Sequence, residues 1–128
     1  VACEFFSNPS KAAYETYGQV CLPLYSNPNV PAAGTFRDRA IERPEVAFHF
    51  FSDEMAQMDM RAEIANITCP TLVIGGAIDP VTPPICSKAI ADAIGDNARL
   101  RMFEGCGHGP HRDDPTGAEK IMRHFLAD

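Results

Sequence analysis

The fold of this chain is decided by the stretch Cys69-Pro-Thr-Leu-Val-Ile-Gly-Gly-Ala-Ile-Asp79-Pro80. Residues 71–74 form a short, continuous apolar run rich in β-branched side chains, the pattern of a strand buried on both faces of a parallel sheet. Gly75-Gly76 is expected to end this strand, so that Asp79 lies in the loop that follows. The stretch therefore predicts a buried strand that presents a carboxylate just beyond its carboxyl end.

A helix and a second strand are predicted next along the chain. Residues 84–94 place apolar side chains on one helical face before Gly95, a residue typical of helix C-termini. That face comprises Ile85, Ala89, Ile90, Ala93 and Ile94. Residues 99–103 alternate between polar and apolar, as a half-exposed edge strand does.

A loop at residues 105–114 and a last helix beginning at Pro115 complete this half of the chain. The apolar stripe of the last helix comprises Ala118, Ile121, Met122, Phe125 and Leu126. Strand, helix, strand and helix joined by short loops predict a parallel pair of strands in a doubly wound α/β sheet.

The first half of the chain has a helical character. Asn8 as N-cap and Pro9 at the first helical position predict the start of a helix, which Pro23 ends. Residues 25–34 are rich in Asn and Pro and predict a loop. A short helix is expected after Arg43-Pro44.

Another helix is predicted from residue 52 towards residue 64, with Ser52 as its N-cap. Aromatic and Met side chains on these helices fit a lid over a pocket, and they fit the core of an ordinary helical subdomain equally well. We therefore predict two parts, a helical cap segment at residues 1–66 and a C-terminal βαβα part at residues 67–128.

Composition and charge exclude several classes of function. The 128 residues carry a net charge of −6, which argues against a general affinity for nucleic acid or anionic membranes. No apolar run approaches the roughly 20 residues of a membrane span, and no signal peptide is visible. Five cysteines without a Cys-x-x-Cys pair predict reduced thiols in a cytoplasmic protein. The chain begins at Val1 rather than Met, so we expect further sequence upstream.

A second polar loop, Gly105-Cys-Gly-His108-Gly-Pro-His111, follows the second predicted strand. Ligands and catalysts gather beyond the carboxyl ends of parallel strands, and neighbouring strands lie about 4.8 Å apart. Asp79 and His108 are therefore expected within hydrogen-bonding distance, where the acid would fix the tautomer of the histidine base. The two residues form two thirds of a Ser-Asp-His triad, but no Gly-x-Ser-x-Gly nucleophile elbow occurs in the sequence.

The other histidines and cysteines are weaker candidates. His108 and His111 have the spacing of a metal-binding pair, but no third ligand lies nearby, so we expect neither a metal nor another cofactor. His111 is expected at the rim of the pocket, and His49, among phenylalanines, is expected to be packed. Cys106 is a conceivable nucleophile, but its place just before the base favours a packing role.

Two segments together resemble the α/β-hydrolase superfamily. Residues 67–84 look like its strand and acid loop, and residues 99–126 look like its closing strand, histidine loop and last helix. The resemblance covers about residues 60–127. It implies the C-terminal part of a doubly wound, mostly parallel sheet preceded by a helical cap segment. Asp59-Met-Arg61, with an aromatic helical segment upstream, is similar to the proline iminopeptidase-related branch.

The resemblance implies a serine-type hydrolase that cleaves an amide, peptide or ester bond in a small molecule or short peptide. His108 would deprotonate the nucleophile and later activate water, and Asp79 would orient His108. The elbow and the oxyanion hole would lie in an N-terminal portion of the same hydrolase, tightly associated with this chain. Aminopeptidase-like specificity would need a cap carboxylate for the substrate amine, with Glu54 or Glu15 as the candidate, and His111 would be a further substrate-binding residue.

Two alternatives stay open at this point. The same fold also serves epoxide, C–C, lactone or acyl substrates, and the identity of the nucleophile, Ser or Asp, would help to discriminate between these chemistries. A non-catalytic binding module is the other alternative. The presence of Asp79 and His108 argues against it, whereas the missing elbow argues for it.

Overall fold

Short helices packed through aromatic rings make up the first part of the computed structural model, which describes residues 1–30, 41 and 43–127. Helix α1 spans Ala2–Ser7, α2 spans Lys11–Val20, and α3 spans Pro44–His49 and continues as a π-helical turn over Phe50–Glu54. A 3-10 turn over Leu22–Tyr25 follows α2.

The ring of Phe5 is the centre of this first part, and only 1% of that residue is exposed. Its centroid lies 4.9 Å from the ring of Tyr17 on α2 and 5.3 Å from the ring of Phe51 on the π-helical turn. Aromatic pairs at such distances stabilise a core beyond the area that they bury. The phenylalanines therefore hold together helices that are each too short to be stable alone.

Two predicted helix starts in this part are wrong. The N-cap of α2 is Ser10, whose Oγ accepts a hydrogen bond from the backbone N–H of Ala13. Asn8 instead ends α1 in a non-helical conformation, because the ring of Pro9 disfavours helical geometry in the residue before it. Ser52 does not begin a helix either, since it lies inside the π-helical turn and its hydroxyl donates to the carbonyl of Phe48.

The C-terminal half of the chain has the predicted strand, helix, strand and helix, together with two short helices, one before β1 and one inside the predicted loop at residues 105–114, where no helix was predicted. Its elements are α4 (Arg61–Ile64), β1 (Thr71–Gly76), α5 (Pro84–Ile94), β2 (Ala98–Phe103), α6 (Pro110–Asp113) and α7 (Pro115–Ala127). The strands pair in parallel, with a register that runs from Thr71 opposite Ala98 to Gly76 opposite Phe103. The predicted α/β arrangement is confirmed, although β1 continues through both glycines that were expected to end it.

Burial differs between the two strands as predicted. Val73 on β1 is buried, whereas Arg99 and Arg101 on β2 are exposed. The guanidinium of Arg99 lies 5.7 Å from the centre of the Phe125 ring, which joins β2 to α7. The stripe predicted on α7 is buried in part, because Ala118 is buried while Leu126 is 82% exposed.

The predicted apolar face of α5 is wrong except at Ile94, which is buried. The side of α5 that packs inward carries Ser87, Ala91 and Ile94, whereas Ile85 is 73% exposed. Ser87 lies so close to Gly75 that a Cβ on this glycine would overlap its hydroxyl. A serine opposite a glycine lets the helix approach the strand closely, so Ser87 rather than Ile85 or Ile90 faces the sheet.

Residues 25–30 pack with the C-terminal half of the chain. The backbone N–H of His108 donates to the carbonyl of Tyr25 over 2.6 Å, and the N–H of Asn27 donates to the carboxylate of Asp113 over 2.9 Å. The chain thus divides into one unit within residues 1–24 and 33–59 and a second within residues 25–32 and 60–128. This division differs from the one at residue 66, and residues 31–34 of the predicted loop lie outside the described residues.

Candidate active site

Asp79 lies three residues beyond the end of β1, in a turn that its own side chain stabilises. Its Oδ1 accepts hydrogen bonds from the backbone N–H groups of Val81 (2.8 Å) and Thr82 (3.1 Å). Aspartate forms such turns readily because its short side chain reaches backbone N–H groups two and three residues on. The carboxylate is therefore fixed in place before it contacts any other element.

The acid loop is joined to the histidine loop through the backbone. The N–H of Ala77 donates to the carbonyl of Phe103 over 3.0 Å, and the N–H of Ile78 donates to the carbonyl of Cys106 over 3.1 Å. These bonds extend the contact between the two chain segments beyond the ends of β1 and β2. The distance between the loops is thus set by main-chain hydrogen bonds rather than by side chains alone.

His108 and Asp79 are brought together by these two loops. Nδ1 of His108 lies 3.0 Å from Oδ2 of Asp79. The Asp79 side chain is 5% exposed and the His108 side chain 35%, so the acid is shielded while the imidazole reaches solvent. Within the part of the chain that the structure describes, Nε2 of His108 has no hydrogen-bond partner. The imidazole is therefore held at one nitrogen and available at the other.

Tyr25 supports the other side of the histidine. Its carbonyl accepts from the backbone N–H of His108, and its ring meets the imidazole edge to face at 5.1 Å between centroids. Gly107 lies against the backbone of Tyr25 so closely that a Cβ at Gly107 would overlap the Tyr25 carbonyl. Residues 25–30 are thus part of the site, which the sequence did not indicate.

Thr82 is a further member of the site that the sequence reasoning missed. Its hydroxyl lies 2.7 Å from Oδ2 of Asp79 and 3.3 Å from Nδ1 of His108. The spacing Asp79-Pro-Val-Thr82 was an available signal, since a threonine three residues after an aspartate suits a hydrogen-bonded turn.

Hydrogen bonding determines the charge state of Asp79. Burial raises the pKa of its carboxyl group. Four hydrogen bonds together lower the pKa by a larger amount, so that it lies at about 2; they come from the Thr82 hydroxyl, the Val81 N–H, His108 and the Thr82 N–H. Asp79 is consequently an anion at neutral pH. An anion at Nδ1 favours the imidazole tautomer that carries its proton there, and it stabilises the imidazolium formed when Nε2 takes a proton.

Asp113 is a second buried carboxylate near the histidine, and the sequence did not single it out. Its Oδ2 accepts from the backbone N–H of Gly107 over 2.7 Å and from that of Asn27 over 2.9 Å. The side-chain amide of Asn27 in turn donates to the carbonyl of Gly105. Asp113 therefore fastens the histidine loop to residues 25–30.

Cys106 is buried, in agreement with the expected packing role. Burial raises the pKa of its thiol, and the negative charges of Asp113 and Asp114 raise it further. The thiol is thus held in its neutral form, whereas a cysteine nucleophile needs the thiolate.

The remaining predicted residues lie on the surface. His111 is exposed on α6, and Glu54 is an exposed residue of the first unit, 3.5 Å from Nε2 of His49. His49 was expected to be packed and is instead exposed, because it faces the carboxylates of Asp53 and Glu54. Among the described residues, no group of three or more His, Cys, Asp or Glu side chains could hold a metal ion. No helix in the same part of the chain is long and apolar enough to cross a membrane.

Comparison with known proteins identifies relatives of the C-terminal half. Residues 52–128 match the family described as TAP-like protein. Over 62 residues the chain is 39% identical to a Mycobacterium tuberculosis protein named "Putative non-heme bromoperoxidase BpoC", a match that covers 48% of this chain and 23% of that protein. Over 72 residues it is 29% identical to the pimeloyl-(acyl-carrier protein) methyl ester esterase of Aromatoleum aromaticum, covering 56% of this chain and 28% of the esterase.

A solved structure shows the same fold over most of the chain. MGS-M2, an α/β-hydrolase from a Medee basin deep-sea metagenome library, superposes with a TM-score of 0.62 and 24% sequence identity. The superposition covers 89% of this chain and 45% of MGS-M2. The chain thus spans about a quarter of the length of the curated relatives that it matches and less than half of this solved relative. The family match and the shared fold show that the chain belongs to the TAP-like protein family of α/β-hydrolases.

Proposed function

We propose that this chain is the C-terminal part of a serine-type α/β-hydrolase that cleaves an ester or amide bond, with Asp79 as the triad acid and His108 as the base. The observation that carries the proposal is the 3.0 Å contact between Oδ2 of Asp79 and Nδ1 of His108, which leaves Nε2 available. In this proposal the first unit supplies the helical cap, and Glu54 and His111 bind substrate.

The chemistry follows from the two ends of the imidazole ring. Nε2 of His108 takes the proton of the nucleophile hydroxyl as its oxygen attacks the carbonyl carbon of the substrate. The same proton then passes from Nε2 to the leaving alcohol or amine, and an acyl-enzyme remains. Water attacks the acyl group with His108 again as base, which releases the acid and restores the hydroxyl. Asp79 keeps its negative charge throughout and stabilises the imidazolium in both steps.

The nucleophile and the oxyanion hole belong, in this proposal, to an N-terminal portion of the same hydrolase. The matched relatives are about four times longer than their region of similarity to this chain, which leaves room for those parts. Ile85, Ile78 and Leu126 are each more than half exposed, and a larger protein would bury such apolar side chains at an interface. The five free cysteines favour the cytoplasm as the location of the assembled enzyme.

Ester cleavage is supported by one relative, the methyl ester esterase that is 29% identical to this chain. Aminopeptidase activity remains the narrower prediction from the sequence, and Glu54 provides its test. Glu54→Gln should raise KM for substrates with a free amine and leave KM unchanged for N-acylated ones. Glu63→Gln is the matched control because Glu63 is also an exposed helical glutamate. Equal KM values for Glu54→Gln and the control would remove Glu54 from the site.

The central experiment is intact mass spectrometry of the complete hydrolase after treatment with a fluorophosphonate probe, which labels activated serines. We expect one label on the part that carries the elbow, and none on the 13.9 kDa chain. His108→Gln should slow labelling and ester hydrolysis at least about a thousandfold. His124→Gln, at an exposed position on α7, is the control and should react like the wild type. Full labelling rates in His108→Gln would reject the proposed function.

A further inference from the structure

We infer that Thr82 is a positioning residue of the dyad, whose hydroxyl binds Asp79 and His108 together and fixes the imidazole in the tautomer that leaves Nε2 bare. The effect of Thr82 on catalysis rests on the proposed function, whereas its effect on the tautomer of His108 can be measured without enzyme activity. The Thr82 side chain contacts both members of the dyad.

Three polar atoms form a closed triangle at this point. Oγ1 of Thr82 lies 2.7 Å from Oδ2 of Asp79, Nδ1 of His108 lies 3.0 Å from the same oxygen, and Oγ1 lies 3.3 Å from Nδ1. The hydroxyl has one proton and two lone pairs. Since the carboxylate only accepts, the hydroxyl gives its proton to Oδ2 and turns lone-pair density towards Nδ1.

Nδ1 therefore faces two acceptors, the carboxylate oxygen of Asp79 and the hydroxyl oxygen of Thr82. An imidazole with a bare Nδ1 would place its lone pair against both oxygens, whereas an Nδ1–H group can be shared between them. The carboxylate alone already prefers the Nδ1–H tautomer. The hydroxyl adds a second acceptor 3.3 Å from the ring nitrogen, which restricts how far the ring can rotate away from Asp79.

The turn holds the Thr82 hydroxyl in position for this task. The backbone N–H of Thr82 donates to Oδ1 of Asp79, so backbone and side chain of one residue bind the two oxygens of one carboxylate. Threonine is branched at Cβ and has restricted χ1 rotamers, so its hydroxyl loses little freedom on binding. Val at the same position keeps the shape and removes the hydroxyl, and Ser keeps the hydroxyl.

The test combines a spectroscopic readout with kinetics. The complete hydrolase labelled with 15N-histidine would be examined by long-range 1H–15N correlation NMR as wild type, Thr82→Val, Thr82→Ser and Thr82→Ala, with Thr68→Val as a control at an exposed position outside the site. We expect His108 to be predominantly Nδ1–H in the wild type, Ser and control proteins. The Val and Ala variants should contain a larger share of the Nε2–H tautomer.

In the complete hydrolase, Thr82→Val and Thr82→Ala should lower kcat roughly tenfold with KM unchanged, the loss expected for one hydrogen bond in the transition state. Thr82→Ser should recover most of this loss. A purely structural role of Thr82 would change unfolding free energy but not the tautomer ratio. An unmoved tautomer ratio in both hydroxyl-free variants, or an unchanged kcat, overturns the inference. Inactivity of the wild-type hydrolase towards esters and amides would instead overturn the proposed function, and the NMR result would still decide whether Thr82 sets the tautomer.

Discussion

Gly76, the last residue of β1, lies directly against the backbone of Gly107, the residue before His108. A Cβ on Gly76 would overlap the carbonyl oxygens of Gly107 and Cys106. The strand that leads to the acid and the loop that carries the base therefore meet main chain to main chain. The need for glycine here is one of space, since the backbone of Gly76 does not adopt a positive φ.

Gly76→Ala should accordingly displace the histidine loop. Backbone carbonyls cannot move aside as a flexible side chain can, so we expect a loss of unfolding free energy of about 3 kcal/mol or more, measured by urea denaturation. Amide exchange at Gly107 and His108 should also accelerate. Gly95→Ala is the comparison, because Gly95 has a φ of 73° but open space around it. That variant should lose stability without faster exchange in the histidine loop, and equal exchange in both variants would contradict the steric argument.

Asp113→Ala should weaken the same loop from the opposite side. The change leaves the buried N–H of Gly107 without its acceptor, which costs roughly 1–3 kcal/mol of unfolding free energy. Urea denaturation at neutral pH measures this cost. Asp96→Ala removes an equal charge from an exposed position and should stay within about 0.5 kcal/mol of the wild type. Similar losses of unfolding free energy in the two variants would show that the change in net charge, rather than the loss of the hydrogen bond, causes the effect.

Stability should fall in acid because Asp79 must then be protonated. Its pKa is lowered from 3.8 to about 2 by folding, so the carboxylate stabilises the folded state above the unfolded pKa. That contribution, about 2 kcal/mol, should be complete near pH 5 and lost as the pH falls to about 2. Urea denaturation at a series of pH values measures it. Asp79→Asn should reduce the loss of unfolding free energy in acid by this amount. Asp92→Asn, at an exposed position, should not change that loss. If unfolding free energy depends on pH in Asp79→Asn as it does in the wild type, Asp79 is not the group responsible for the loss of stability in acid.

The buried thiol of Cys106 should react last among the five cysteines. Its raised pKa and its burial both disfavour the thiolate, so iodoacetamide should modify exposed Cys3, Cys69 and Cys86 first in the native chain. Peptide mass spectrometry over a time course gives the order. In the complete hydrolase, Cys106→Ala should keep fluorophosphonate labelling, whereas loss of labelling in a folded variant would point to a catalytic thiol.

The pairing of Asp79 with His108 was accessible from the sequence because each residue follows a strand whose pattern is local. Parallel strands then bring the two loops to one edge of the sheet whatever the rest of the chain does. The link that Asp113 makes between the histidine loop and Asn27 was not accessible, because Asn27 and Asp113 lie 86 positions apart in the sequence. No pattern in a single sequence reports such a contact.

The wrong predictions for two helices also have physical causes. The spacing of apolar residues predicted that Ile85 lies on the inner face of α5. Ser87 instead packs closely against Gly75, and Ile85 lies on the exposed side of the helix. A count of apolar side chains does not register packing between two small residues. At α2, the choice of Asn8 as N-cap overlooked the conformation that Pro9 imposes on the residue before it, which left Ser10 to cap the helix.

The support of His108 by residues 25–30 has a consequence for recombination between members of the family. These residues lie outside the matched range 52–128, yet the Tyr25 carbonyl binds the histidine backbone and Asn27 binds Asp113. A chimaera joined near residue 60 inherits acid, base and Thr82 from one parent and the support of the histidine loop from the other. A junction before residue 25 transfers the dyad together with the segment that holds it, so the inheritable unit of this site is longer than the stretch by which its family is identified.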